Sequence, residues 1–273
     1  MMPIVLAMGK FESIHTGHRA LINEVVGLAK QRNLASGLLV FEPHPYKALV
    51  DPGYKPLLTQ QERVYVLDGM GLDFLLEYPF DANVAELTPA QFCKIIFEEL
   101  HTKLAVVGEG YRFGCRREGT IDDLREYAFK YDAEVHVVTT KGHADAGKTS
   151  TSTIRSLLSE SRMAEANDML GYSFFIMGTV ADCRGFECRN RTRIINIYPP
   201  DDKFLPPSGV YDTQIQLCGK MYKGTTNIGL HVDEITKECA VETQVFDCDL
   251  TKDALDGVDV KVLFFNYIHT TAS

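Results

Sequence analysis

The sequence predicts an α/β protein in which a doubly wound parallel sheet is followed by a small antiparallel β-barrel domain. Three observations carry this expectation. Up to about residue 138, short apolar runs alternate with amphipathic helical stretches, the pattern of a parallel sheet covered on both faces. From about residue 172, helical periodicity gives way to short alternating runs separated by Pro199-Pro200, Pro206-Pro207 and several glycines. The chain has 273 residues, 45% of them hydrophobic, which is enough to fill two cores.

In the first half, strands are expected at residues 3–8, 37–41, 74–78, 104–107 and 134–138. The first helix, near 17–30, places Leu21, Val25 and Leu28 on one face, as a helix lying on a sheet requires. Later helix starts are marked chemically. Thr59 with Glu62, and Thr88-Pro89 with Gln91, fit a capping box, and Thr120 with Asp123 is a weaker signal of the same kind. Right-handed crossovers then give a doubly wound topology. One or two short helices follow at 152–171, and further strands are expected at 174–181, 193–198, 211–217, 239–246 and 258–265. The expected division is a first domain over 1–158, a helical linker over 159–171 and a barrel over 172–273.

The net charge of −9 argues against a broad electrostatic grip on nucleic acid, while leaving room for a local pocket for one anionic ligand. The apolar start lacks a basic n-region and no later run is long enough to cross a bilayer, so the expected location is cytoplasmic, with no membrane partner. The seven cysteines form no C-x-x-C pair, which supports neither a zinc site nor a disulfide framework. Cys183 and Cys188, beside several arginines, read as ordinary thiols. No repeat is visible, and nothing in the sequence indicates an oligomeric state.

The chemistry concentrates in Gly9-Lys10-Phe11-Glu12-Ser13-Ile14-His15-Thr16-Gly17-His18, between the first strand and the first helix. Open α/β sheets bind ligands at such strand ends. Gly9 and Gly17 let backbone approach a phosphate, the helix start offers free N–H groups and a positive dipole end, and two imidazoles three residues apart can reach one anion. That set suits attack on the α-phosphorus of a nucleotide, where the protein orients groups and stabilises spread negative charge. A single histidine at a helix start is more often a cap. The pair, with both glycines after a first strand, points to function. His44, bracketed by Pro43 and Pro45, fits a loop-shaping role as well as a binding one, and the aromatic residues Phe41, Tyr111 and Phe113 fit either stacking on a planar ligand ring or the core.

A rival phosphate loop reads Gly142-His143-Ala144-Asp145-Ala146-Gly147-Lys148-Thr149. Against it stand an acid inside the anion cradle, a position after the fifth strand, a helix delayed to about Ser152, and no following Walker B strand. Lys148 is then at most an auxiliary phosphate contact.

Several ordered segments make the chain resemble the bacterial bifunctional riboflavin kinase/FAD synthetase family, in which the first domain is an HxGH nucleotidyltransferase. They are residues 9–18; Phe41-Glu42-Pro43-His44-Pro45; Leu57-Leu58-Thr59 with Glu62 and Arg63; Val107-Gly108-Glu109-Gly110-Tyr111-Arg112-Phe113-Gly114; and Ser150-Thr151-Ser152-Thr153-Ile154-Arg155. The resemblance implies transfer of AMP from ATP, with Mg2+, to FMN, giving FAD and pyrophosphate. It implies catalytic roles for His15, His18 and Arg155, and nucleotide binding by Gly9, Phe11, Gly17, Ser150, Thr151 and Ser152. Flavin-binding positions follow at Phe41, Pro43, His44, Glu109, Tyr111 and Phe113. The family usually has Asp-Gly where this chain has Glu12-Ser13, and Asp or Asn where it has Gly110.

The second half resembles the family's riboflavin kinase module through Gly209-Val210-Tyr211, Asn227-Ile228-Gly229 and Val241-Glu242 with Asp247. Glu242 stands at the general-base position. The motif expected to read Gly-Phe-Pro-Thr-Ala-Asn is Arg191-Thr192-Arg193-Ile194-Ile195-Asn196 here, and isoleucine has no oxygen for a hard cation. With the chain stopping soon after its last strand, a truncated and degenerate kinase module is expected, with Asn196 and Glu242 as vestiges and riboflavin kinase activity absent or weak. Two alternatives remain open at this point: a flavin- or nucleotide-binding paralogue with little catalysis, and an HxGH enzyme with another phosphorylated acceptor. The metal ligands are not assigned.

Overall fold

The computed structural model describes residues 3–139, 149–184, 192–232, 239–251, 254–255 and 257–269. Apart from Thr149, the rival phosphate loop lies outside them, as does Cys188. The chain divides into two compact units, one made of residues 1–56 and 63–149, the other of 57–62 and 150–273.

In the first unit, β1 (Ile4–Met8), β2 (Ala35–Glu42), β3 (Phe74–Pro79), β4 (Thr102–Gly108) and β5 (Glu134–Val138) form a parallel sheet of order β3-β2-β1-β4-β5. All five expected strands are present, and they form the expected parallel sheet. β1 is buried at every position, because both faces are covered. Its Leu6 and Met8 pack with Phe92, Ile96, Leu124 and Ala128. The helix α1 (Thr16–Arg32) buries Leu21, Ile22, Val25, Val26 and Ala29, and Asn33 closes it in the left-handed conformation, donating its N–H to the carbonyls of Ala29 and Lys30.

Further helices belong wholly or in part to this unit, among them α2 (Pro45–Leu49), α3 (Gln60–Leu67), α4 (Ala82–Ala85) and α5 (Pro89–Lys94). α6 (Ile121–Lys130) precedes β5. Thr88 and Gln91 form the capping box of α5, and Thr120 and Asp123 that of α6. Each is worth about 1 kcal/mol.

The second unit is a closed barrel of order β10-β7-β6-β11-β8-β9. Its strands are β6 (Phe175–Arg184), β7 (Arg193–Tyr198), β8 (Gly209–Leu217), β9 (Lys220–Val232), β10 (Cys239–Val245) and β11 (Asp259–His269). β8 shows the alternation most clearly, with Tyr211, Thr213, Ile215 and Leu217 buried. β9 is absent from the strands read off the sequence. Gly224 and Gly229 interrupt it, and its inward Thr226 is polar, bonded by its hydroxyl to those of Thr213 at 2.9 Å and Thr243 at 3.0 Å.

The segment 159–171, expected to be a linker, is part of the second unit's core. After α7 (Thr151–Ser159), α8 (Met163–Leu170) buries Met163, Ala166 and Leu170 in the same cluster as Ile195, Tyr211 and Phe264 of the barrel. Asn167 fastens it, donating its side-chain N–H to Phe264 O at 2.8 Å and accepting the Phe174 N–H at 2.7 Å. The same packing places Ile154, Leu157 and Leu158 of α7 with the barrel rather than with the parallel sheet.

Glu62 shows how the second unit holds residues 57–62. Its carboxylate and the Thr59 hydroxyl exchange the expected capping bonds, Glu62 accepting the Thr59 N–H at 2.9 Å and donating its own N–H to Thr59 Oγ1 at 3.2 Å. Glu62 also accepts the Met177 N–H at 2.9 Å and a bond from Lys203 Nζ at 2.6 Å. Lys203 is fully buried, donates as well to Leu57 O at 2.6 Å, and lies 4.7 Å from the centre of the Phe174 ring. A dry ion pair is sustained only when its remaining polar capacity is satisfied, as here. Lys203→Met leaves the Glu62 charge buried and is expected to cost about 3–5 kcal/mol. The Lys203→Met/Glu62→Gln double variant should recover part of that loss, as read from denaturant unfolding midpoints.

Candidate active site

β1 lies in the middle of its sheet. Its chain neighbour β2 is on one side and β4 on the other, so the strand order reverses between β1 and β4. The loop leaving β1 therefore starts at the topological switch point, where open α/β sheets receive ligands. The backbone of this loop is tightly constrained. Phe11 and Ile14 have φ of 42° and 44°, unusual for any side chain and most of all for a β-branched one, and both side chains are fully buried. A Cβ on Gly9 would lie 2.9 Å from the Phe11 ring, so glycine is required there.

His15 is the N-cap of α1, and its Nδ1 accepts the His18 N–H at 3.3 Å. In the neutral ring the proton consequently sits on Nε2, which becomes the donor. His18 stacks on His15 with ring centres 3.7 Å apart and planes inclined by 19°, and the Phe11 ring stands 5.0 Å from His18 on a tilted face. Burial pushes the pKa of His15 down to about 4. Burial, and then repulsion from His15, take His18 down to about 3. Both rings are neutral near pH 7. His18 Nδ1 is buried without a hydrogen-bond partner among the described residues. No acidic residue stands in the first turn of α1, whose positive dipole end is left open to an anion.

Around this centre the expected residues fall into distinct roles. Phe113, expected to bind flavin, is instead a core residue. It is 5% exposed, packs at 5.7 Å on Phe92 and 5.8 Å on Tyr111, and presses on Gly119, so no ring face is open to a ligand. The Phe11 side chain, expected at the nucleotide, is likewise enclosed, which leaves only its backbone to meet a ligand. Tyr111 directs its hydroxyl to Met8 Sδ at 3.8 Å, and burial raises its pKa. Phe41, at the end of β2, meets Tyr78, Phe80 and Phe92 edge-on or tilted. Glu109 is exposed beyond β4, and Pro43 is exposed after β2. His44 caps α2, its Nδ1 accepting the Tyr46 N–H at 3.2 Å.

Tyr54, which the sequence reading did not single out, gives its hydroxyl to both carboxylate oxygens of buried Glu12, at 2.8 and 2.9 Å. No local spacing signals it, since 42 residues separate the two.

In the second unit, Ser150 is the N-cap of α7 and accepts the Thr153 N–H at 3.2 Å. Its hydroxyl lies 2.9 Å from those of Ser152 and Thr153. Thr151 opens the helix, and the Arg155 guanidinium lies 4.9 Å above the Phe204 ring. On the barrel, Glu242 of β10 pairs with Asn196 of β7 on one side and Asn227 of β9 on the other. The three side chains therefore share one face. Asn196 Oδ1 and Asn227 Oδ1 are buried without hydrogen-bond partners among the described residues, an acceptor-rich setting. Ile194, two residues before Asn196, pairs with Gln244 and contributes no oxygen. Among the described residues, no group of three or more His, Cys, Asp or Glu is placed to hold a metal ion.

A family model described as FAD synthetase matches residues 2–153, the part of the chain that holds the stacked histidines, and one described as riboflavin kinase matches residues 170–273. The chain belongs to the FAD synthetase family. This FAD synthetase family member is 28% identical over 268 residues to a bifunctional riboflavin kinase/FMN adenylyltransferase of Listeria monocytogenes, covering 96% of the chain and 83% of the relative. A second Listeria monocytogenes protein, described as FAD synthetase, is 29% identical, with 83% and 87% covered. The Escherichia coli K12 bifunctional enzyme is 29% identical, with 82% and 72% covered. A solved structure described as a macrolide-efflux protein from Streptococcus pneumoniae superposes with a TM-score of 0.84 at 25% identity, covering all of this chain and 88% of its own. Among the described residues, no helix is long and apolar enough to cross a membrane.

The depressed histidine pKa values set the sign of a pH effect. Unfolded histidines titrate near 6.5, whereas His15 and His18 stay neutral in the fold to about pH 4 and 3. Between these limits the unfolded chain binds more protons, so stability is complete above about pH 6.5 and is lost on acidification. Replacing either histidine with Gln should flatten the dependence of unfolding free energy on pH between about 4.5 and 6 by roughly 1.4 kcal/mol per pH unit.

Proposed function

We propose that the protein is an FMN adenylyltransferase that forms FAD and pyrophosphate from ATP and FMN. The observation that carries this reading is the neutral, stacked His15–His18 pair at the open N-terminus of α1, at the sheet's switch point. A phosphate oxygen of FMN attacks the α-phosphorus of ATP. The new P–O bond forms as the bond to pyrophosphate breaks, and the leaving group carries away the electron pair. No base is needed, because the phosphate is largely ionised at pH 7.

The chain's contribution is placement and hydrogen bonding. His15 Nε2–H, neutral His18, the backbone from Gly9 to Phe11 and the first turn of α1 after Gly17 face the spreading negative charge. Ser150, Thr151, Ser152 and Arg155 are the further phosphate-binding residues of this reading, with Arg155 adding a fixed positive charge. Magnesium would accompany ATP and supply charge neutralisation at its phosphates. Phe41, Pro43, His44, Glu109 and Tyr111 are the flavin-side candidates. The small-molecule partners are ATP and FMN.

Incubation with FMN, ATP and magnesium should yield FAD and pyrophosphate. His18→Ala is expected to lower the rate by about 10²–10³-fold while leaving flavin binding in place. Tight flavin binding without product in the wild-type protein would favour a binding paralogue. Pyrophosphate release with a different phosphorylated acceptor, and none with FMN, would reassign the acceptor.

Riboflavin kinase activity is proposed to be weak or absent, because Ile194 provides no oxygen where the resembling family places a threonine. One observation favours a residual kinase. Asn196 Oδ1 and Asn227 Oδ1 are hard oxygen donors beside Glu242, and they fit a magnesium-bound nucleotide. Glu242 would then take the proton from the attacking ribityl hydroxyl. The two readings separate on FMN formation from riboflavin and ATP: no product above background supports the first, and turnover abolished by Glu242→Gln supports the second.

A further inference from the structure

Glu12 stands three residues before His15 with its side chain 5% exposed, at a position where the resembling family usually has an aspartate, so this anion-binding loop has to accommodate an acid. Where its carboxylate is held decides whether it opposes a polyphosphate. Both oxygens accept from the Tyr54 hydroxyl, at 2.8 and 2.9 Å. The His44 ring stacks on the Tyr54 ring, 5.3 Å between centres and 23° between planes. His44 Nδ1 is occupied as the cap of α2, so the other ring nitrogen, Nε2, faces Glu12 Oε2 at 3.6 Å. The Tyr46 ring also packs on Tyr54, 4.9 Å between centres. Tyr54 and His44 belong to the segment that follows β2, and β2 flanks β1 on the side opposite β4. The carboxylate is thus anchored to the segment that follows β2, whereas the switch point of the sheet lies between β1 and β4.

We propose that Tyr54 is a positioning residue of the adenylyl-transfer site: its hydroxyl, backed by the stacked His44 ring, keeps the Glu12 charge on the β2 side and away from the incoming triphosphate. This rests on the reading of residues 9–18 as the nucleotide loop. A carboxylate set free in that loop repels the α-phosphate at short range in a poorly solvated setting. Glu12 and the distant Tyr54 then form one unit, in which loss of the hydroxyl is harmful only while the acid remains.

The test is a double-variant cycle read by equilibrium binding of ATP with magnesium, supported by KM for ATP and kcat for FAD formation. Tyr54→Phe is expected to weaken ATP binding about tenfold at low salt, with a smaller defect as salt rises and little change in kcat. Adding Glu12→Gln to Tyr54→Phe should restore binding. A Tyr54 that merely braced the loop would not be rescued by removing the charge. The proposal is overturned if Tyr54→Phe binds as tightly as wild type, if the double variant stays as weak as Tyr54→Phe, or if Glu12→Gln alone abolishes binding. Should Tyr54→Phe fail to fold, Tyr54→His, which can still donate to Glu12, is compared with Tyr54→Leu, which cannot. The same tenfold gap, closed by Glu12→Gln, is expected, and equal binding refutes the idea. Because ATP binding is measured without flavin, a protein that makes no FAD still reports on Tyr54.

Discussion

The position of β1 in its sheet is the constraint on which the first unit depends. With β2 on one side and β4 on the other, the two crossovers leave in opposite directions, and the loop after β1 begins where the sheet's C-terminal edge divides. Burial of every β1 residue fixes that strand laterally, while Leu6 and Met8 lock its face to α5 and α6. The loop that follows must then pass from a fixed strand to a fixed helix in a few residues. It does so through left-handed Phe11 and Ile14, a conformation costing on the order of 1–3 kcal/mol per residue and sustained only by the surrounding packing. The Phe11 ring against Gly9 and His18, and the Glu12–Tyr54 bonds, supply that packing.

The second unit solves a different problem. Its barrel is small, and its interior includes polar atoms: three threonine hydroxyls that satisfy one another across β8, β9 and β10, and an ammonium group matched to a carboxylate. Each would be costly alone, and each is paired. The helices α7 and α8 complete the core. Ser150 stands at the start of the first of them, so a side chain proposed to bind phosphate is also the cap of a helix whose own apolar face is committed to the barrel.

Features carried by local spacing were readable from the chain. The capping pairs at Thr88 and Gln91 and at Thr120 and Asp123 lie three residues apart, and their geometry is a property of the helix start alone. The five parallel strands announced themselves as continuous apolar runs, and His15, Gly17 and His18 as a pattern between strand and helix. What escaped was fixed by distant partners. Tyr54 meets Glu12 across 42 residues, and Lys203 meets Glu62 across 141. Nothing in the neighbourhood of either residue marks it. β9 was obscured because its glycines and inward threonine break the apolar alternation, and α8 because a short helix beside a linker-like sequence is set by the core it closes. For Phe113 the sequence leaves stacking on a ligand and packing in the core both open, because only the packing around Gly119 and Tyr111 shows how its faces are used.

The neutrality of the histidine pair changes how the site must balance charge. In a chain of net charge −9, two imidazoles held deprotonated by burial contribute donors and shape but no positive charge. What the rings do not supply to a polyphosphate falls to the dipole end of α1, free of acidic residues, to Arg155 in the proposed function, and to any cation that accompanies the nucleotide. An acid within the loop is then tolerable only if its charge is fixed elsewhere, as the Tyr54 hydroxyl fixes Glu12. Conversely, an anion placed against the rings opposes the desolvation that keeps them neutral and raises their pKa values. Under the proposed function, the energy spent in burying the imidazoles is partly returned when the nucleotide binds, which would make the strained loop and the depressed titration two aspects of one preorganised site.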